Sequence, residues 1–317
     1  MQRALLAATR WADDIADRSA LMGQAVKLDP AAVLDRSDAI ALNAPGTRSA
    51  NGSARMVRAA DGWLAVNLAR ESDRELIPAW LTGRPATAQR AGDLVAQGIL
   101  IGLPVARIGE ATPVTKLATR MAVGGLPNDG RRLRVVDLSS LWAGPLCGGI
   151  FAAMGAEVMK VEGNARPDTT AISAPALDRR LNGAKQRVTT EFGGPDLRAL
   201  LANADVVITS ARKRAFEQIA LTPEMLFAIN PALVWVAISG YGWMGTQADR
   251  VAFGDDAAAA GGLVRWTKGG APRFIGDALA DPLTGLAASA AALEALAKGG
   301  GFMIDAAMAG VAASVAA

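Results

Sequence analysis

The sequence predicts an α/β protein, a Rossmann-like parallel sheet with helices on both faces plus a smaller α+β domain. The first observation is a set of apolar runs, Leu133 to Leu138, Glu157 to Val161, Asp205 to Ile208 and Leu233 to Ser239, that alternate with helical patterns. The second is that none of these runs shows period-two alternation, which suits parallel strands covered on both faces. The third lies nearer the start: Met56-Val57-Arg58 and Trp63 to Leu68 flank an Asp61-Gly62 turn, the signal of an antiparallel hairpin.

Taken in order, residues 1–45 read as a helical segment followed by loosely patterned chain. The turn-rich stretches Asn43-Ala44-Pro45-Gly46 and Asn51-Gly52-Ser53 come next. Residues 46–128 read as the small α+β domain. Its hairpin precedes a helix opened by the Ser72-Asp73-Arg74-Glu75 capping box and running through Leu76, Ile77, Trp80 and Leu81. A further helix through Leu94 and Val95 stops near Gly98, and Ile99 to Val105 forms a short apolar segment. The turn Pro127-Asn128-Asp129-Gly130 marks the boundary, and residues 129–317 hold the Rossmann-like domain. There Thr222 caps a helix with Pro223 at its first position, and Leu221 and Leu226 are spaced as a hydrophobic staple. Two Ala-rich stretches, 284 to 297 and 305 to 317, read as helices.

Composition narrows the chemistry. The 317 residues contain no histidine and a single cysteine, Cys147. That excludes an internal disulfide, the usual zinc sites, serine–histidine and cysteine–histidine pairs, and any imidazole acid–base. The chemistry must rest on carboxylates, lysines, hydroxyls, one thiol, one tyrosine or backbone amides. Net charge is +3, and the clusters Arg131-Arg132 and Arg212-Lys213-Arg214 form no basic stripe interleaved with aromatics. No nucleic acid is therefore expected as a partner. No run approaches the roughly eighteen apolar residues of a membrane helix. Trp11, Asp13 and Asp14 interrupt the apolar start of the chain, unlike a secretory signal. The expectation is a cytoplasmic protein with no membrane partner and no metal.

The segment from Val135-Val136-Asp137-Leu138-Ser139-Ser140-Leu141-Trp142-Ala143-Gly144-Pro145 to Gly155-Ala156-Glu157-Val158-Met159-Lys160-Val161-Glu162 reads as strand, loop, helix, strand. Its loop sits at the carboxyl end of a parallel strand, where open α/β sheets bind ligands. Ala143 and Gly144 let backbone approach closely, and the helix offers free amides to an anion. Glu162 ends the second strand as a ribose-binding acid would. No G-x-G-x-x-G accompanies it, so an NAD site is disfavoured and a plain βα turn stays an alternative on spacing alone.

The D-L-x-x-x-x-A-G-P loop followed by G-A-E-V-x-K-V-E resembles the opening of the CaiB–BaiF family, the family III CoA-transferases. Further segments are similar in family order: Asn182-Gly183-Ala184-Lys185-Gln186-Arg187-Val188, Ala204 to Ile208, Ile229 to Val234, Ile238-Ser239-Gly240-Tyr241-Gly242, Ala280-Asp281-Pro282-Leu283-Thr284-Gly285 and Gly301 to Asp305. Arg58 to Val66 and Gly98 to Val105 resemble small-domain elements that family members carry after the large-domain core. Here they come first, an order that suggests circular permutation, although a fragment of a tandem fusion would look similar.

The resemblance implies that Asp281 is the acyl-accepting nucleophile of a CoA-transferase, which moves CoA between an acyl-CoA and a carboxylic acid through an aspartyl intermediate. The residues themselves also allow a helix N-cap at Asp281 with Pro282 at the first helical position. A carboxylate at a helix N-terminus is held ionised and available to attack a thioester, so the two roles are compatible. Asp255, Asp256 and Asp277 fall near it in sequence, and Asp255-Asp256 reads as a cap for Ala257 to Ala260. The resemblance further implies CoA contacts at Trp142 and Ala143. Arg166 would substitute for the family's basic residue after the second strand, since Gly163 follows Glu162. Ser210-Ala211-Arg212-Lys213-Arg214 replaces the N-F-x-P-G segment, placing Ser210 and Arg212 at the cofactor, and Arg250 precedes the active-site helix. Surface ion pairing is the alternative for these arginines. CoA thioester enters as substrate, with no permanently bound cofactor, and a homodimer, interlocked as in the family, is expected. A CoA-dependent isomerase or racemase is a second reading, although related racemases need histidines this chain lacks. A catalytically silent CoA-binding or partner-assembling homologue is a third.

Overall fold

The hairpin residues pair in an antiparallel sheet. β1 (Ala54–Ala59) and β2 (Gly62–Asn67) run antiparallel, and β3 (Val105–Arg107) joins β2 on its other edge. Ala59 pairs with Gly62, so the tight loop is Ala60-Asp61, one residue earlier than the sequence signal. The computed structural model describes residues 1–126, 130–163 and 167–317. Pro127, Asn128 and Asp129 of the expected boundary turn, and the candidate Arg166, lie outside the described residues.

The large sheet is seven-stranded. It contains β4 (Ala118–Arg120), β5 (Arg134–Leu138), β6 (Glu157–Gly163), β7 (Gln186–Thr190), β8 (Val206–Thr209), β9 (Val234–Ser239) and β12 (Phe302–Ala307), in the order β4-β12-β9-β8-β5-β6-β7. All neighbours are parallel except β4, which pairs antiparallel with β12. β10 (Val264–Trp266) and β11 (Pro272–Phe274) form a separate hairpin. Every apolar run singled out in the sequence is a strand of the large sheet.

Successive residues of a strand face opposite sides, and both sides of this sheet are covered. Val135, Val206, Ile208, Val234, Val236 and Ile304 pack in one core with the helices Ala143–Ala153, Ala280–Ala297 and Met308–Ala316. Val136, Leu138, Val207, Trp235 and Met303 pack in the other with Leu197, Leu201, Phe216 and Leu226. Helix Ala280–Ala297 is sandwiched between the sheet and helix Gln2–Leu21. Ala4, Ala8, Ala12, Ile15 and Ser19 of the latter make a buried stripe at helical spacing, small enough for close approach. No helix among the described residues is long and apolar enough to cross a membrane.

The small sheet packs one face on Trp80, Leu94, Val95 and Leu103, and the other on Ala259 and Phe274. Several local expectations shift here. The capping box lies earlier than read: Arg70 is the N-cap, and its amide donates to Asp73 (2.9 Å). The expected single helix is two, Glu71–Glu75 and Ile77–Leu81, because Pro78 brings no N–H to continue the ladder. Helix Ala91–Leu100 passes through Gly98, where any Cβ would collide with Val105, so this glycine serves packing rather than termination. Ile99 and Leu100 are helical, and strand geometry begins only at Val105. The final Ala-rich stretch is strand through Ala307 before it turns helical.

Candidate functional site

β5 and β8 are neighbours, yet the chain leaves β5 toward β6 and leaves β8 toward β9. Their loops therefore diverge and open a crevice at the carboxyl edge of the sheet. The loop after β5 is fixed from below. Lys185 Nζ donates to Asp137 Oδ2 (2.7 Å), the Pro145 carbonyl (2.8 Å) and Asn182 Oδ1 (2.7 Å), wholly out of water. Asp137 in turn accepts from the Ser139 amide (3.0 Å). Lys160 bonds the Ser139 carbonyl and Asp168 Oδ2 (3.1 Å), while Asp168 accepts from the Leu141 amide (3.2 Å). Leu141 is left-handed, at φ 69°, an unfavourable conformation that these anchors hold. Gly144 approaches Ser139 so closely that a Cβ would collide with it, so this glycine lets the helix pack against the loop after β5. The Ser140 amide donates to Ser210 Oγ (2.9 Å), tying the two loops together.

In front of these loops lies a cavity of about 340 Å³. Ala143, Ser210, Arg212, Arg250 and Asp281 all line it, together with Ser140, Arg70 and Phe253. A second cavity of about 560 Å³ shares Ser140, Ala211 and Ala215 with it and extends past Glu162, Gly163, Phe192 and Phe216. Trp142 reaches neither. It is 2% exposed, its ring lies 4.8 Å under the Arg36 guanidinium, and it borders a different hollow beside Leu28 and Val33. Arg250 lines the cavity with its head already engaged. It bonds Glu110, the Val105 carbonyl (2.7 Å) and Gln247 Oε1 (2.8 Å), and stacks 3.9 Å from the Tyr241 ring. It ties the small sheet to the large one.

Asp281 does not cap its helix. Leu279 is the N-cap, Asp281 is the second helical residue, and Ala278 before it is left-handed at φ 44°. The carboxylate remains in the first turn, where amide dipoles favour a negative charge. It rests on Gly254, whose amide donates to it and where a Cβ would collide with Asp281 Oδ2. Burial pushes Asp281 up to about 7, Arg36 pulls it down, and Asp255 and Asp277 push it up again.

The neighbouring acids have separate tasks. Asp256 is not the N-cap expected from sequence: Phe253 holds that position, and Asp256, third in the helix Gly254–Ala260, accepts from its amide (2.9 Å). Burial raises it to about 7. Asp255 is no cap. It accepts from the Ala278 amide (2.8 Å) and Asn51 Nδ2 (2.8 Å), and burial and Asp277 raise it to about 6. Arg36 pairs with Asp277, 241 residues away in sequence. Arg36, Asn51, Arg70 and the seat at Gly254 escaped the sequence reading, for no local pattern marks them. Cys147 is buried and its thiol is pushed up to about 12, which removes it as a nucleophile. Among the described residues no group of acids and cysteine is arranged to hold a metal ion.

The sequence model described as CoA-transferase family III matches residues 131–317. The chain belongs to that family. It is 32% identical over 177 residues to a succinyl-CoA–D-citramalate CoA-transferase of Chloroflexus aurantiacus, covering 52% of this chain and 44% of the relative. It is 30% identical over 206 residues to a succinate–glutarate CoA-transferase of Agrobacterium fabrum, covering 58% and 52%. Among solved structures, a CaiB/BaiF family protein from Brucella suis superposes with a TM-score of 0.54 at 32% identity, over 61% of this chain and 56% of that one. A Mycobacterium tuberculosis protein does so with 0.51 at 29%, over 60% and 57%. The chain thus spans about half the length of the relatives it matches. The family's mixed fold, a mostly parallel sheet between helices with a small antiparallel sheet, is the fold found here.

Proposed function

We propose that this family III chain moves CoA between an acyl-CoA and a carboxylic acid, with Asp281 as the covalent nucleophile. The observation that carries the reading is the Asp281 carboxylate, seated on Gly254 and lining a cavity that shares Ser140, Ala211 and Ala215 with a second, larger one. In this reading the nucleotide end of CoA occupies the larger cavity, with Glu162 at the ribose hydroxyls. Arg212 and Arg70 meet the phosphates, and Ser210 and the Ala143 backbone flank the pantetheine arm on its way to Asp281. Trp142 then serves by holding Arg36 above its ring rather than by touching CoA.

Asp281 attacks the thioester carbonyl, forming an acyl–aspartyl anhydride and releasing CoA thiolate. The thiolate attacks the aspartyl carbonyl, expels the donor as a free carboxylate and leaves an aspartyl-CoA thioester. The acceptor carboxylate attacks that thioester, giving a second anhydride and thiolate. The thiolate then takes the acceptor acyl group and regenerates Asp281. Each step exchanges one acyl bond for another, so no proton-carrying histidine is required. Citramalate and glutarate in the relatives' names make dicarboxylic acids the first acceptors to try, with succinyl-CoA as donor.

Incubation with succinyl-CoA followed by intact-mass analysis tests the reading. An adduct on the parent, removed by hydroxylamine and absent from Asp281→Asn, is expected, with transfer in the variant lower by at least about a thousandfold. An Asp281→Asn protein that transfers CoA as fast as the parent sinks it.

The same reading includes a homodimer, which light scattering would register, and a cytoplasmic setting. It also takes the order of the halves as a circular permutation. What supports this is that the family match begins at residue 131, after the hairpin, and that helices Gln2–Leu21 and Met308–Ala316 lie against each other.

A further inference from the structure

Asn51 stands among three carboxylates and one guanidinium. A single nitrogen, Nδ2, donates both of its hydrogens, one to Asp255 Oδ2 (2.8 Å) and one to Asp277 Oδ1 (2.6 Å). The amide cannot be turned round, because its oxygen is claimed by two other donors. Oδ1 accepts from the Ser53 amide (2.8 Å) and from Ser49 Oγ (3.1 Å). Ser49 Oγ is fixed in its turn by the Ala54 amide (3.0 Å), and the Gly52 amide closes the turn on the Ser49 carbonyl (2.9 Å). Gly52 lies at φ 81°, a conformation open to glycine at little cost, so the Asn51-Gly52-Ser53 turn is shaped to present one amide to two acids.

We propose that Asn51 is a positioning residue, which by its two hydrogen bonds holds the Asp255 and Asp277 carboxyls in place beside Asp281 and thereby sets the pH at which Asp281 is free to attack. The inference rests on Asp281 being the acyl acceptor and goes beyond it, since Asn51 lies outside the segment that the family match covers.

The charges that face Asp281 come from several elements. Asp255 approaches from helix Gly254–Ala260, Asp277 from the loop before helix Ala280–Ala297, and Arg36 from the loop that also carries Asp35 and Asp38. Arg70, Arg212 and Arg250 lie across the cavity. Arg36 faces three carboxylates, and repulsion adds to burial in raising Asp255 and Asp281. The Asn51 hydrogen bond lowers Asp255 and so leaves the last proton to Asp281. Without it that proton would settle on Asp255, the repulsion on Asp281 would ease, and Asp281 would ionise at a lower pH.

The test uses the full chain, with succinyl-CoA and glutarate, and follows kcat/KM against pH in the parent, Asn51→Leu and Asn51→Ala. Alongside, ¹³C resonances of aspartate-labelled protein give the Asp281 titration directly, its signal assigned by absence from Asp281→Asn. The acidic limb of both variants is expected about one pH unit lower than that of the parent. Leucine alters packing as well as hydrogen bonding, so Asn51→Ala, which removes the amide without adding bulk, decides the matter if Asn51→Leu does not fold. A limb that stays where the parent's is, or rises, in the folded variant overturns the proposal. Should the parent form no adduct on Asp281, the transferase reading fails, while the carbon titration still decides what Asn51 does to that carboxyl.

Discussion

Asp281 attacks only as a carboxylate, and burial holds its proton on to about pH 7. The rate should therefore fall as pH drops through neutrality, with kcat/KM losing about tenfold for each unit below 7. A pH–rate profile flat from 8 to 5 would contradict that. The same burial makes the charged site costly, so Asp281→Asn is expected to raise the melting temperature at pH 8 and leave it nearly unchanged at pH 5. Gly254→Ala would push the carboxylate off its seat, and a displacement of about 1 Å can cost roughly a hundredfold in kcat. Steady-state kinetics at saturating thioester would register it. Asp281 was visible in the sequence because its neighbours Ala280, Thr284 and Gly285 form a pattern. Gly254 was not, because a glycine whose missing side chain makes room for a distant residue looks like any other.

At the scale of elements, the loop after β5 is the part most exactly specified by packing. Asp137 and Lys185 face each other out of water, and Gly148 gives them room: a Cβ there would lie 2.6 Å from Asp137 Oδ2. Lys185→Met would strand the Asp137 charge and cost about 3–5 kcal/mol. Gly148→Ala would overpack the pair and cost about 1–3 kcal/mol. Urea unfolding measures both. The strand–loop–helix pattern and the Asn182 to Lys185 segment were legible in sequence, but not that Lys185 would reach beneath the loop. The Pro78 break shows the opposite case: a purely local cause, the missing amide, lay in plain sight, and the apolar spacing across it hid it.

For the whole molecule, the desolvated acids set the stability profile. Asp255, Asp256 and Asp281 titrate at about 6, 7 and 7 in the fold against roughly 3.9 in an unfolded chain. The native state thus holds more protons between pH 4 and 7. The stability these groups confer is full below about pH 4 and lost as pH rises through 6 to 7. Asp137 works the other way. Burial alone would raise it, but Lys185 and Lys160 outweigh burial and hold it below the usual carboxylate range, so its contribution is lost in strong acid. The melting temperature should peak near pH 5 and be several degrees lower at pH 8, as calorimetry would show. A rise from pH 5 to pH 8 would mean that these carboxyls are better solvated than their burial implies.

The sequence by itself determined four strands of the large sheet, the hairpin, the resemblance to the family and the aspartate to examine, because periodicity, turn chemistry and short motifs act between residues a few positions apart. The tertiary structure alone decided which groups surround that aspartate. Arg36 and Asn51 meet Asp255 and Asp277 from more than 200 residues away. It also decided that Arg250 is engaged by Glu110 and that Trp142 lies beneath Arg36. Such contacts depend on how helices and loops stack on the sheet. Burial, repulsion and hydrogen bonding at the carboxyl act through space, and a one-dimensional pattern carries no record of them.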